Sequence, residues 1–187
     1  IVTGRFMTRK TTHCNSYLNY MLKKYPGTAI VIESPAECDW SIQSYKRSHC
    51  IQIDLSYHPN AGTQKAWNDA SEIIRTSGAN SIYCGEISTP EAAKFLLQVT
   101  STGIPVLANT HGDSITSAID NLEELGIEAG VRDYRKKLIA NLNGMTNQFV
   151  KDGKPDIEKL KIRDVPIIGE KDIKTLLIEN DPNTAEA

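Results

Sequence analysis

Short apolar runs alternate with longer amphipathic stretches along the first 130 residues. A short, continuously apolar run is typical of a strand in a sheet that is covered on both faces. A longer stretch with apolar side chains every three or four residues predicts a helix. The predicted strands are 1–3, 29–32, 50–53, 81–84 and 104–108, and the predicted helices are 10–24, 63–75, one beginning at Thr89 and Pro90, and 114–125, ending at Gly126. This alternation predicts an α/β fold with a parallel sheet.

The pattern changes after Gly130. Residues 131–150 carry apolar side chains at helical spacing, which predicts one long helix. Residues 170–179 predict a second helix, whereas 157–168 are ambiguous. We therefore expect residues 1–130 to form the α/β core, 131–179 to be a C-terminal helical extension of the same domain, and 180–187 to be a flexible tail.

Composition narrows the classes of protein that the chain can represent. Its 187 residues suit one domain, and 21 Lys and Arg against 23 Asp and Glu give a net charge of −2. That charge predicts no direct nucleic-acid partner. The apolar runs are far shorter than the roughly 20 residues that span a bilayer. The chain opens on Ile1 inside a predicted strand, so we expect a preceding N-terminal region.

The four cysteines show no CxxC spacing, and we interpret them as reduced thiols of a cytosolic protein. The alternative is a metal site that is built from His49, Cys50 and His58.

A candidate phosphate-binding loop joins the first predicted strand to the first predicted helix. Gly4, Lys10 and Thr11 fit the template GxxxxGK[ST], in which backbone amides and the lysine hold phosphates and the hydroxyl ligates magnesium. Arg9 stands where the second glycine of the template belongs, and its large side chain is expected to strain or block the phosphate cradle. The alternative interpretation is an ordinary helix start with exposed basic residues.

Three further strands end in groups that can act in catalysis. Glu33 follows one strand, Glu86 ends another, and His111 follows a third. Because ligands of open α/β sheets lie at the carboxyl ends of the strands, we expect these side chains to face the loop that contains Lys10. Each residue has a plainer alternative, which is a solvated or helix-capping acid for the glutamates and a structural role for the histidine.

The order of these features resembles the secretion ATPases, the hexameric motors of type II and type IV secretion and of type IV pili. Residues 85–92 are similar to the family's GEIRDPETA, and residues 102–111 parallel its TGHLVLSTLHT. Residues 32–37 are similar to its acidic box IEDPIE, and their Glu-Ser-Pro form favours the type IVB secretion and conjugation branch. The resemblance covers nearly the whole chain.

The resemblance implies a RecA-like P-loop NTPase domain that binds ATP and Mg²⁺ in a ring, with the nucleotide at subunit interfaces. The nucleotide-binding residues that it implies are Gly4, Lys10, Thr11 and Thr12, with Thr11 also a ligand of Mg²⁺. The catalytic residues that it implies are Glu33 in the metal or water network, Glu86 as general base or water-orienting acid, and His111 in contact with the γ-phosphate.

The resemblance also implies partners and a location. We expect a homo-hexamer or another ring, and inner-membrane platform components of a secretion or pilus system as partners. The protein would then be cytoplasmic and peripheral at the inner membrane through those partners.

Two departures from the family pattern leave two functions open. Met7 and Arg9 replace glycines of the family's GxTGSGK loop, and Ser88 and Thr89 replace the Arg and Asp of GEIRD. The first hypothesis is a motor ATPase for protein export or fibre assembly. The alternative is a pseudo-ATPase that serves as a structural or docking subunit. A third hypothesis is a nucleic-acid-binding P-loop protein, which the net charge of −2 disfavours.

Overall fold

The structure, a computed structural model, describes residues 1–40, 47–151 and 154–161. The described residues form one seven-stranded sheet with five α-helices and a short 3₁₀ helix, Leu55–Tyr57. The strands are β1 Val2–Gly4, β2 Thr28–Glu33, β3 His49–Asp54, β4 Ser81–Glu86, β5 Val106–Asn109, β6 Gly144–Lys151 and β7 Lys154–Lys161. The helices are α1 Lys10–Lys24, α2 Gln64–Ser77, α3 Pro90–Thr100, α4 Ile115–Glu128 and α5 Tyr134–Asn141.

The sheet order is β3-β2-β4-β5-β1-β6-β7, and every neighbouring pair is parallel except β6 and β7. The predicted parallel α/β sheet is thereby confirmed. Strand β5 lies between β1 and β4, so the loops that follow these three strands are neighbours at one edge. The residues that the sequence analysis singled out, Gly4, Glu33, Glu86 and His111, lie at this edge.

Helices cover both faces of the sheet because its central strands are apolar on both. In β2, Ala29 and Val31 pack with α1 on one face, whereas Ile30 and Ile32 pack with α2 and α3 on the other. A strand with consecutive buried apolar residues can be stable only between two such layers. Among the described residues, no helix has both the length and the apolarity that crossing a bilayer requires.

Caps fix where the helices after β4 and β5 begin. The Thr89 hydroxyl accepts a hydrogen bond from the amide of Ala92 at the start of α3, and Ser114 and Ser117 form a reciprocal capping box at the start of α4. These caps end the loops that carry Glu86 and His111, and so limit the paths those loops can take.

The expected helix over 131–150 is wrong on both sides of α5, which begins at Tyr134. Helix α5 ends at Asn141, and residues 144–151 form β6, which pairs with β1 in the register Val2 to Thr146, Thr3 to Asn147 and Gly4 to Gln148. Without β6, the backbone amide and carbonyl groups on one side of the buried strand β1 would have no hydrogen-bond partners. The need to pair these backbone groups outweighs the helical period of the apolar side chains in residues 144–150.

The rest of the expected helical extension has a similar outcome. Residues 154–161 form β7, an antiparallel partner of β6, so the extension is not helical over 154–161 either. The predicted helix 170–179 and the predicted tail 180–187 lie outside the described residues.

Helix α4 also continues past its predicted end at Gly126 and stops at Glu128. Gly126 is buried, and a Cβ added to it would collide with the ring of Tyr134. The Tyr134 ring is itself buried, and its hydroxyl donates to the Ala93 carbonyl at 3.0 Å. The glycine is therefore a packing requirement of the α4–α5 contact and does not end the helix.

We expect Gly126→Ala to destabilise the protein even though alanine is the better helix former. The added methyl must displace a buried, hydrogen-bonded tyrosine, and overpacking of this kind costs about 1–3 kcal/mol. Denaturant unfolding measures the change in the free energy of unfolding. Glu124→Ala, at an exposed position of the same helix, is the control and is expected to be near neutral. A stability gain in Gly126→Ala would contradict the packing argument.

Candidate functional site

The residues that the sequence singled out lie at the carboxyl edge of the sheet. Gly4 ends β1, Glu33 ends β2 and Glu86 ends β4, while His111 follows β5 by two residues. The predicted placement of these residues at one edge is confirmed.

Backbone and side-chain bonds from both neighbouring strands fix the start of the loop that carries His111. The Thr110 amide donates to the Val2 carbonyl at 3.0 Å, and the Thr110 hydroxyl donates to the Ile87 carbonyl at 3.0 Å. On its other side, Gly112 packs so closely on Ala118 that a Cβ would lie 2.6 Å from the Ala118 Cβ. His111 therefore extends from a loop with little freedom to move.

Lys10 is the central residue of the site. It is the first residue of α1, and it is only 8% exposed. Its Nζ donates to the carbonyls of Gly4 at 3.0 Å and Arg5 at 3.1 Å, and it lies 3.2 Å from His111 Nδ1. Burial lowers the pKa of Lys10, and the carboxylate of Glu86 acts in the opposite direction. The ammonium group therefore joins the loop after β1 to the loop after β5.

His111 extends this connection to Glu86. Its Nε2 lies 2.8 Å from Glu86 Oε1. Because a lysine ammonium group can only donate, His111 Nδ1 must accept from Lys10, which leaves Nε2 as the ring nitrogen that carries a proton and lies close to the carboxylate. Lys10, His111 and Glu86 thus form a continuous series of close polar contacts from the start of α1, through the loop after β5, to the end of β4.

The loop between β1 and α1 has unusual backbone conformations. Met7 and Arg9 adopt positive φ angles of 64° and 65°, a region that favours glycine. Gly4 has a φ of 152°, and a Cβ there would lie 2.5 Å from the Thr8 hydroxyl oxygen and would also collide with the Gln148 carbonyl. Two positions at which the family carries glycine therefore keep a glycine-like conformation with other side chains.

The first turn of α1 has the features of an anion site. Arg9 is its N-cap residue and makes no side-chain cap, and the first turn contains no acidic residue. The amides at a helix start lack partners within the helix and carry partial positive charge. Lys10 adds a full charge, and Thr11 and Thr12 follow it in the first turn. This combination of donors fits a phosphate chain.

Glu33 is a buried acid at the carboxyl end of β2. It is 3% exposed, and Gln52 Nε2 donates to one of its oxygens at 3.1 Å. Burial raises the pKa of Glu33 to about 7, and the nearby carboxylates of Glu37 and Asp54 act in the same direction. Gly85 permits this packing, since a Cβ there would lie 3.0 Å from Glu33 Cγ. Glu33 can therefore change its charge near neutral pH.

Several contacts of the site escape analysis of the sequence. Arg5 makes a two-pronged ion pair with Asp113, with distances of 2.7 and 3.2 Å, that ties the loop after β1 to the loop after β5. Glu37 interacts electrostatically with Lys10, and Gln52 holds Glu33. The only sequence signal for these residues was their position within or next to the motifs, because their partners are distant in the chain.

The cysteines and histidines outside this edge make no comparable arrangement. All four cysteines carry free thiols, and His58 lies 3.2 Å from Asp69. Within the part of the chain that the structure describes, no group of three or more His, Cys, Asp or Glu side chains is arranged to hold a metal ion.

The sheet order, the loop between β1 and α1 and the polar carboxyl edge define a RecA-like P-loop domain. The sequence model of the family described as "Type II/IV secretion system protein" matches residues 1–174. The chain belongs to this family. No curated protein matches the chain significantly.

Solved structures share the fold at low sequence identity. The DotB ATPase of Legionella pneumophila is 18% identical, with a TM-score of 0.71 over 97% of this chain and 48% of that chain. The pilus retraction motor PilT with bound ADP is 21% identical, with a TM-score of 0.73 over 98% of this chain and 50% of that chain. The VirB11 ATPase of the Brucella suis type IV secretion system, in complex with sulphate, is 17% identical, with a TM-score of 0.67 over 86% of this chain and 47% of that chain. The chain thus spans about half the length of these proteins.

We expect the stability of the parent to fall relative to that of Glu33→Gln as the pH rises from 5 to 8. The folded-state pKa of Glu33 is raised, so its contribution is complete below the ordinary pKa of 4.5 and is lost as the pH rises through about 7. The difference in the free energy of unfolding should change by about 1–3 kcal/mol over this range. Denaturant titrations at several pH values measure it.

Glu128→Gln, at an exposed end of α4, is the matched control and should show no such trend. A parent that gains stability relative to Glu33→Gln with rising pH would contradict the assignment of a raised pKa.

Proposed function

We propose that the chain is the nucleotide-binding part of a motor ATPase of a bacterial secretion or pilus machine, which couples ATP hydrolysis to protein export or fibre assembly. The observation that carries this proposal is the series of close polar contacts from Lys10 through His111 to Glu86 beside an uncapped helix start. It joins a phosphate-binding cation to a candidate general base. Membership of the secretion family supports the machine to which the motor belongs.

The side chains divide into those that bind phosphate and those that act on water. Lys10 and the amides of the first turn of α1, including those of Thr11 and Thr12, bind the phosphate chain, and Gly4 permits the loop to approach it. Glu86 accepts a proton from the attacking water or orients it. His111, held between Lys10 and Glu86, senses the terminal phosphate because it contacts both groups.

Two oxygen donors at the carboxyl edge of the sheet are candidates for a magnesium ion. Thr11 supplies a hydroxyl in the first turn of α1, and Glu33 supplies a carboxylate that contributes to the metal or water network. Bound with the nucleotide, Mg²⁺ would neutralise phosphate charge and so help the leaving group to depart. Protonation of Glu33 would weaken its interaction with a cation, so the raised pKa ties this network to pH.

A pseudo-ATPase is the second candidate function, and the state of the loop favours it. Lys10 Nζ is bonded to two loop carbonyls and to His111, and the positions of Met7 and Arg9 lack the glycines of active family members. A protein of this kind would keep the fold and the contacts between subunits and serve as a structural or docking component.

We expect Glu86→Gln to abolish ATP hydrolysis while nucleotide binding persists. The change keeps the size of the side chain and removes the charge that orients water, and loss of a general base reduces rates by roughly 10²–10⁴-fold, or about 3–5 kcal/mol of barrier. Phosphate release measures hydrolysis, and calorimetry with a non-hydrolysable ATP analogue and Mg²⁺ measures binding. Glu124→Gln is the control. Background hydrolysis in the parent, unchanged by Glu86→Gln, would favour the pseudo-ATPase.

We further propose that the protein works in a ring, as a homo-hexamer or a related assembly, at the cytoplasmic side of the inner membrane, where it meets platform components of its machine. Family membership supports this proposal. Sedimentation velocity of the protein with Mg²⁺ and an ATP analogue should show species several times the monomer mass. A monomer at every concentration, with full ATPase activity, would contradict it.

A further inference from the structure

We propose that Arg9 is a second phosphate-binding cation of the loop, and that it assists Lys10 instead of obstructing the site. This inference rests on the proposed nucleotide-binding function and names a residue that the family's loop does not supply. It replaces the expectation, drawn from the sequence, that a large side chain at this position blocks the phosphate cradle.

The three cations of the loop differ in what their side chains contact. Arg5 is paired with Asp113 through two hydrogen bonds, and Lys10 is buried against two carbonyls and His111. Arg9 is exposed, and among the described residues its guanidinium group has no hydrogen bond or ion pair. It is therefore the cation of the loop that can turn to a ligand without first breaking an interaction.

The backbone at Arg9 has a left-handed conformation. Arg9 has φ 65° and ψ 32°, and its carbonyl accepts the first hydrogen bond of α1, from the amide of His13 at 3.0 Å. A residue with a Cβ is less stable in this conformation than in its usual ones. The loop thus keeps the turn that a glycine would give, and the arginine side chain extends into solvent while Lys10 lies inside.

Charge at the edge gives this cation a role. Glu33, Glu37, Asp54 and Glu86 all lie at the carboxyl edge of the sheet, and Glu37 and Glu86 act on Lys10 directly. Arg5 is paired with Asp113, so its charge is already offset, and the buried Lys10 interacts with Glu86 and Glu37. A phosphate chain adds further negative charge. A guanidinium group offers two parallel donors to phosphate oxygens and stays protonated, so Arg9 is suited to offset that charge.

Three substitutions of Arg9 and one control substitution elsewhere test this inference. Arg9→Asn removes the charge but tolerates a left-handed backbone, Arg9→Gly removes both the charge and the strain, Arg9→Lys keeps a charge, and Lys136→Asn removes an exposed charge on α5. Calorimetry measures the Kd of each protein for Mg²⁺-ADP and for inorganic tripolyphosphate at 50 and 200 mM NaCl. Circular dichroism and denaturant unfolding confirm that each variant is folded.

We expect Arg9→Asn and Arg9→Gly to weaken tripolyphosphate and ADP binding by about 5- to 50-fold at 50 mM NaCl, and to lose part of the salt dependence that the parent shows. Arg9→Lys should retain most of the affinity, and Lys136→Asn should match the parent. Unchanged or tighter binding in Arg9→Asn or Arg9→Gly would overturn the inference and leave the proposed function standing. A parent that binds neither ligand while Arg9→Gly binds both would establish crowding and also contradict nucleotide binding by the native protein.

Discussion

A buried ammonium group organises this site. A lysine ammonium group that is removed from water must replace its water molecules with hydrogen-bond acceptors of the protein. Loss of any of these acceptors costs free energy. Lys10 finds two of them in the carbonyls of its own loop and a third in His111. The same contacts therefore determine the path of the loop after β1, the position of the loop after β5 and, through His111, the orientation of Glu86. The sheet order makes this possible because β5 lies between β1 and β4.

Local signals in the sequence predicted most of the fold and the placement of the site. Helix α1 spans the residues that its apolar period predicted, and the strands that end at Glu33 and Glu86 were recognisable as short apolar runs. Because parallel strands share their carboxyl edge, the positions of the site residues followed from the strand assignments alone. The roles of these residues stay predictions, since they depend on ligands that a sequence pattern does not contain.

The errors lay where distant segments decide the local structure. Residues 144–151 have an apolar period that suits a helix, yet they form a strand because β1 needs a partner on its second side. A glycine after an apolar period, as at Gly126, is typical of a helix end. Gly126 nevertheless lies inside α4, where the ring of Tyr134, eight residues later, packs on it. The pairing of Arg5 with Asp113 joins residues that are far apart in sequence and has no periodic signal.

The free energy of ligand binding at this site is a difference between two sets of interactions. Before a phosphate chain can take the Lys10 ammonium group, the group must give up bonds to the Gly4 and Arg5 carbonyls, which are then left for water or for other amides. Each such bond contributes a modest net stability, but a buried carbonyl without a partner costs more. A glycine-rich loop can rearrange to satisfy these groups. The loop of this protein has side chains at its two left-handed positions, Met7 and Arg9, and is less free to do so. The residues that replaced glycine thus govern both the electrostatics of the site and the freedom of the loop that must change partners there.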